Sequence, residues 1–466
     1  MKKTTLLALA SLSVLTGAHA MPIKVACVGD SITYGARIEN REENSYPKQL
    51  GNLLGEGYVV QNFGVSGSTL LKKGNRPYVQ QKQYRDSLAF NPDIVIIKLG
   101  SNDSKPGNFD AHQDEFVPDA VALVKSYQAL PSSPRVILCK PVMVTVKDKP
   151  ITEKVVRQEV SPQIEKAAIQ LGVELVDLHP LLRDRPEWLP DGIHPNAQGA
   201  KVLAEYLHRH LTTPRVKNVS MDYPKPQSTE YFHGYEVDNS HFEGIDCKIA
   251  KPRVPATGSP WIWRARFWGH EPQFDVAMLE LGWHIIYCNV ADLFGSPEAV
   301  ERWNTCYRKT QQIGLNPKPV LEGMSRGGLI IHNWAVANPD KVAGIIADNA
   351  VLDFTSWPGG LGAGEGSAGN WKKCLAAYGL ADDAAAKAYD RQPVHTVNQL
   401  AEAGIPLLYL VGLDDRVVPP EENSLKAAKA LKGYPGLRII EKPGMDHHPH
   451  ALPNPSPIVD FALGTR

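Results

Sequence analysis

From residue 23 onward, short apolar runs alternate with amphipathic stretches. IKVACVG, YVVQNFG, DIVIIKLG, RVILC and VELVDL are rich in Val and Ile, which predicts strands covered on both faces. Between them, YPKQLGNLL, VPDAVALVKSYQAL, VVRQEVSPQIEKAAIQLG and NAQGAKVLAEYLHRHL space their apolar residues as helices do. Such alternation predicts βαβ units and a parallel sheet. After about Leu211 the rhythm breaks. TTPRVKNVSMDYPKPQSTEY contains three prolines and little periodicity, so 213–232 reads as a linker between a domain at 22–212 and another at 233–466. A second series then begins, with GIDCKIAKP, WIWRARFWG, WHIIYCNV, KPVLEGM, VAGIIADN, PLLYLVG and RIIEKPG as strands. The stretch from about Trp357 to Val397, rich in Gly, Ala and Trp, interrupts this series and reads as an inserted cap. No fixed-period repeat is present. The expected fold class is α/β, in two domains.

A chain of 466 residues agrees with two domains. Apolar residues make up 43% and charged residues 21%, with 50 Lys plus Arg against 50 Asp plus Glu. This balance gives no basic excess to suggest a nucleic-acid partner, and it says nothing about oligomeric state. Lys2 and Lys3, the apolar run from Leu6 to Leu15, and the small residues Ala18 and Ala20 predict a signal peptide over 1–20, cut after Ala20. The apolar run is shorter than the roughly 20 residues that span a bilayer, so stable membrane insertion is not expected. The expected location is the periplasm or the exterior. Of six cysteines, Cys27, Cys139 and Cys288 lie in apolar strand-like runs and read as small buried hydrophobes. No C-x-x-C spacing supports a zinc or redox motif.

Candidate chemistry appears where the predicted strands end. GDSIT, Gly29 to Thr33, follows the first strand; FGVSGST, Phe63 to Thr69, follows the second; LGSNDS, Leu99 to Ser104, follows the third; DGIHPN, Asp191 to Asn196, lies near the domain's end. In open α/β sheets ligands bind outside the carboxyl ends of strands. A lone Ser in a G-D-S turn reads as a helix cap, and DGIHPN alone reads as a turn before a helix. Together and in this order, the four blocks resemble the SGNH, or GDSL, hydrolases over about 190 residues. The resemblance implies a flavodoxin-like parallel sheet, Ser31 as nucleophile, His194 as general base and Asp191 as the acid that orients it. It also implies an oxyanion hole from the N–H of Ser31, the N–H of Gly67 and the side chain of Asn102. Gly67 is preferred to Gly64 because the family's second block ends in a small residue followed by Gly, here Ser66-Gly67.

A second motif lies in the other half. Gly323-Met324-Ser325-Arg326-Gly327 matches G-x-S-x-G, the strand-to-helix nucleophile elbow, with an apolar strand before it and LIIHNWAVAN after it. An acid follows a late strand in PLLYLVGLDDRVVPP, and GMDHHPH supplies histidines after the last strand. The order Ser, acid, His is that of α/β-hydrolases. The region resembles that fold over about 230 residues, of the prolyl-oligopeptidase-like esterase type. The resemblance implies Ser325 as nucleophile, Asp415 as acid and His447 as base, with Asp414, His448 and His450 as alternatives. It implies oxyanion donors at the N–H of Arg326 and near Phe267 to His270. A metal site in the histidine run lacks a supporting carboxylate or cysteine cluster, so no metal and no cofactor is expected. WIWRARFWGH reads either as core or as the lining of an acyl or sugar pocket.

Chains that join these two hydrolase types are similar to bacterial carbohydrate esterases, and NFGVSGSTLLKKG with Pro77-Tyr78 is similar to sialate O-acetylesterases and acetylxylan esterases. The expectation is an exported, bifunctional serine esterase acting on acetylated glycans. Three rivals stand beside it. The second domain is a feruloyl esterase or serine peptidase, one domain is a non-catalytic glycan-binding module, or the substrate is a lipid.

Overall fold

The computed structural model describes residues 21–147, 149–216 and 220–465. The expected signal peptide and residues 217–219 of the expected linker lie outside the described residues. The first unit is built on β1 (Ile23–Gly29), β2 (Tyr58–Gly64), β3 (Ile94–Lys98), β4 (Arg135–Lys140) and β5 (Glu174–Asp177). All five are parallel, in the order β2-β1-β3-β4-β5. This is the flavodoxin-like order, whose direction reverses between β1 and β3 and opens a crevice there. Strand alternation explains the apolar runs. Val25, Cys27, Ile94 and Ile96 pack with Leu50, Leu203 and Leu207. Ala26, Val28, Val95 and Ile97 pack with Phe116, Leu123 and Ile164 on the opposite face.

The second unit carries β6 (Ser228–Phe232), β7 (Tyr235–Phe242), β8 (Ile245–Ala250), β9 (Trp261–Arg264), β10 (His284–Cys288), β11 (Val320–Met324), β12 (Gly344–Asp348), β13 (Leu407–Gly412) and β14 (Leu437–Lys442). They form one sheet ordered β14-β13-β12-β11-β9-β10-β8-β7-β6. Strands β9 to β14 are parallel, and β8 runs antiparallel to β10 and β7. With a serine on the strand-to-helix turn after β11, this is an α/β-hydrolase sheet. Between β12 and β13, the helices Ala368–Tyr378 and Asp383–Lys387 gather around Phe354, Trp357 and Cys374 in a small apolar cluster that also takes in Phe294, Leu329 and Val418. The insertion is narrower than the sequence suggested. The helix Pro393–Glu402 sends Val394, Val397 and Leu400 into the main core.

Two parts of the stretch read as a linker pair with the second unit. Arg215 bridges to Ala256, and β6 pairs antiparallel with β7. The alternation in STEYF is hard to see because four of its five residues are exposed at a sheet edge. The two units also share a buried contact. Leu203 and Leu207 of the helix Ala197–Thr212 belong to one apolar cluster with Phe274 and Met278. Within it the Glu280 carboxylate accepts from the Asp177 N–H and from the Tyr206 hydroxyl, each at 2.6 Å. Burial, together with the nearby Asp177 charge, pushes the Glu280 carboxyl up to about 8.

Trp261 and Trp263 are fully buried. Trp263 stacks on Trp303 with centroids 4.0 Å apart, so this part of the aromatic run is core and lines no pocket. All six cysteines are free and buried, and one sulfur from each of Cys247, Cys288 and Cys306 lies within 4.8 Å of the others. Among the described residues no helix is long and apolar enough to cross a membrane.

Candidate active sites

The turn after β1 places Ser31 at the switch point. Asp30 caps the short helix Ser31–Tyr34 by accepting the Ile32 N–H at 3.0 Å, which leaves the Ser31 hydroxyl uncommitted to capping. The turn tolerates no side chain at Gly29, where a Cβ would lie 2.0 Å from Thr33 Oγ1 and 2.5 Å from the Lys98 carbonyl oxygen. Ser31 Oγ is 2.9 Å from His194 Nε2, and His194 Nδ1 is 2.8 Å from Asp191 Oδ2. The other Asp191 oxygen accepts the N–H groups of Ile193 at 3.0 Å and His194 at 2.8 Å, so one tight turn fixes both residues. Burial opposes the charge on Asp191. The bond to the His194 ring and the two backbone bonds outweigh it and hold the carboxyl well below its usual range. Arg37, 3.1 Å from Asp191, and Lys149, 3.7 Å away, add two cations at the rim.

Gly67 has φ +81°, a left-handed value that glycine adopts at no cost. Asn102 is buried, and its amide donates to the Ser68 carbonyl at 3.1 Å. The loops bearing these two residues are joined by Asp103, whose carboxylate accepts the N–H groups of Leu70 at 3.0 Å and Leu71 at 2.8 Å. Burial pushes the Asp103 carboxyl up to about 6. Sequence reading passed over Asp103. Its signal was an acid placed beside the candidate Asn102 inside a turn.

In the second unit Ser325 sits on the turn between β11 and the helix Gly327–Ala337 with φ +49°, the strained conformation of an elbow. A Cβ on Gly323 would meet the Gly327 carbonyl oxygen at 2.7 Å, and one on Gly328 would meet Val351 O at 2.7 Å. Ser325 Oγ is 3.0 Å from His447 Nε2, and His447 Nδ1 is 2.7 Å from Asp415 Oδ2. The other Asp415 oxygen accepts from the N–H groups of Val417 and Val418 at 3.0 and 2.8 Å. The competing acid Asp414 is exposed. His448 and His450 flank His447 with ring centroids 5.0 and 4.8 Å away. The Arg326 side chain reaches into the cap, donating to Asn370 at 3.2 Å and lying 4.8 Å from the Trp357 ring.

Beneath the elbow, a buried Arg264 pairs with Asp275 and with Glu322, the latter at 3.2 Å. It also donates to the carbonyls of Phe267, at 3.1 Å, and His270, which fixes the loop after β9. A charged residue inside each of the apolar runs WIWR and VLEG was the overlooked signal for this cluster.

Each unit therefore brings a serine, a histidine and an aspartate into one hydrogen-bonded series at the carboxyl end of its sheet, the arrangement of the serine hydrolase class. Residues 27–202 match the model of the GDSL-like Lipase/Acylhydrolase family, and the first unit is a GDSL-like lipase/acylhydrolase domain. The chain is 41% identical over 203 residues to an acetylxylan esterase of Xylanibacter ruminicola, a match covering 40% of this chain and 42% of that protein. It is 29% identical over 138 residues to the alpha/beta hydrolase domain-containing protein WAV2 of Arabidopsis thaliana, covering 28% of this chain and 40% of that one. The chain thus spans less than half the length of these curated relatives. Among solved structures, it is similar to Est24, a carbohydrate acetylesterase from Sinorhizobium meliloti, with 20% identity and a TM-score of 0.32 over 41% of this chain and 98% of that one.

Proposed function

We propose that this protein is an exported carbohydrate esterase with two separate serine sites that removes O-acetyl groups from a glycan. The observation that carries the reading is the pair of complete series, Asp191–His194–Ser31 and Asp415–His447–Ser325. In each, the histidine takes the serine proton as Oγ attacks the acetyl carbonyl. The sugar oxygen leaves with that proton, and water releases acetate from the acetyl-serine. The N–H groups of Ser31 and Gly67 with the Asn102 amide, and the N–H of Arg326 in the second site, are the donors assigned to the oxyanion. The acetylxylan esterase relative supports an acetylated plant polysaccharide as substrate. Export rests on residues 1–20, and an N-terminus at Met21 in the secreted protein would be its direct sign.

The test is acetate release from acetylated xylan and from O-acetylated sialosides by the full chain and by its Ser31→Ala/Ser325→Ala double variant. Release by the first and none by the second is expected; equal release by both would end the reading. A second reading gives the Ser325 site a bulkier acyl group, since the Arg326 side chain next to Ser325 extends to Asn370 and Trp357 of the cap. Feruloyl esters and prolyl peptides in the same panel distinguish it.

A further inference from the structure

We propose that His270, His448 and His450 form a binding site for a divalent transition-metal ion. The histidine run alone offers His448 and His450, too few ligands for a closed site. Folding supplies the third, because the loop after β9 brings His270 across to the loop that carries His447. One ring nitrogen from each of the three histidines lies within 4.8 Å of the others. Their ring centroids are 5.8 Å (His270 to His448), 5.8 Å (His270 to His450) and 4.9 Å (His448 to His450) apart, with planes crossing at 89°, 82° and 87°.

Zinc takes imidazole nitrogen at about 2.0–2.1 Å, which in a tetrahedron sets the nitrogens roughly 3.4 Å apart. His270 and His448 are exposed, whereas His450 is buried and fixes the third corner. Asp348 Oδ1 lies 3.7 Å from His450 Nδ1, a nitrogen with no hydrogen-bond partner. A carboxylate behind a ligand histidine is the usual support for its orientation and basicity. The loop after β9 is itself tied down by Arg264, which accounts for His270 standing at a defined place. Three neutral nitrogens with an open fourth position suit Zn²⁺, Co²⁺, Ni²⁺ or Cu²⁺ and do not suit Mg²⁺ or Ca²⁺.

The test uses the untagged full chain with Zn²⁺ and Co²⁺ alone. Equilibrium dialysis with metal analysis is expected to find one ion that is lost in His270→Ala and in His448→Ala. It is expected to persist in Cys306→Ser, which excludes the buried thiol cluster as the holder. The Co²⁺ adduct is expected to show visible bands without a thiolate charge-transfer band. Absence of stoichiometric metal, or metal retained by both histidine variants, overturns the proposal.

Discussion

Asp30 stands next to Ser31 in sequence yet serves Lys98: the ammonium lies 3.1 and 3.0 Å from its two carboxylate oxygens, and both side chains are completely buried. Lys98 ends β3 and also donates to Ser101 at 2.8 Å, so one buried cation joins the turn that carries Ser31 to the block that contains Asn102. The charge of Asp30 is thereby held by a partner, and the carboxylate that bonds the His194 ring is that of Asp191. Removing one partner of a buried ion pair leaves the other charge uncompensated, at a cost of about 3–5 kcal/mol. Lys98→Met is expected to destabilise the first unit by that order in chemical denaturation. The double variant Lys98→Met/Asp30→Asn, which removes the stranded charge, should regain part of it. A single variant as stable as the parent would show that the pair does not organise the turn.

The two adjacent acids of the second site give a sharper comparison. Asp415 is buried against His447, whereas Asp414 is exposed. Asp415→Asn keeps the size but presents the wrong hydrogen-bonding partner to Nδ1. Turnover at Ser325 is expected to fall by about 10⁴-fold, as orienting acids in such triads do. Asp414→Asn should stay close to the parent. Initial rates on one ester for the three proteins decide it, and a larger loss at Asp414 would contradict the geometry.

The parts that were legible in the sequence were local. Apolar runs defined the β1–β5 and β8–β14 strands, most plainly where both faces are covered, as in β3 and β13, which are buried at every residue. The candidate series were legible because each aspartate lies close in sequence to a turn of recognisable composition. What escaped depends on distant contacts. His270 and His448 are far apart in the chain, so no run could reveal their cluster. Arg264 and Glu322 looked like ordinary interruptions until the sheet placed β9 beside β11. The strand Ser228–Phe232 was lost because an exposed edge carries little apolar signal. The aromatic run was ambiguous for the opposite reason, since Trp serves a core and a sugar pocket equally well, and only burial separates them.

The inter-unit contact predicts a pH dependence of stability. Glu280 has its pKa raised to about 8 in the folded chain, from an ordinary value of 4.5. The native state therefore keeps a proton that the unfolded state gives up between these values. The contribution is complete below the unfolded value and is lost as pH rises through the folded one. The loss approaches about 1.4 kcal/mol per pH unit within that window. Glu280→Gln, which stays neutral and can still accept from the Asp177 N–H, is expected to flatten the dependence and to exceed the parent in thermal stability at pH 9. Parallel curves for the two proteins from pH 5 to pH 9 would show that Glu280 ionises freely.

The two sites are expected to act independently of each other. The units are in firm contact through the Ala197–Thr212 helix, so mechanical coupling between them is available. The hydrogen-bonded series, however, do not cross that contact. Ser31, His194 and Asp191 all belong to the first unit, and Ser325, His447 and Asp415 to the second. Members of a triad act as a unit, so loss of one should disable its own site and spare the other. A fluorophosphonate probe reads this without knowledge of the natural substrate, because it labels any serine activated by a base. Peptide mapping is expected to find both Ser31 and Ser325 labelled in the parent, Ser325 alone in Ser31→Ala, Ser31 alone in Ser325→Ala, and neither in the double variant. On an ester panel the two single variants should differ in preference, because the first site has Arg37 and Lys149 at its rim and the second has the Arg326 side chain reaching Asn370 and Trp357 of the cap. If Ser31 stays unlabelled in every protein while Ser325 reacts normally, the first unit is an accessory module and the protein has one active site.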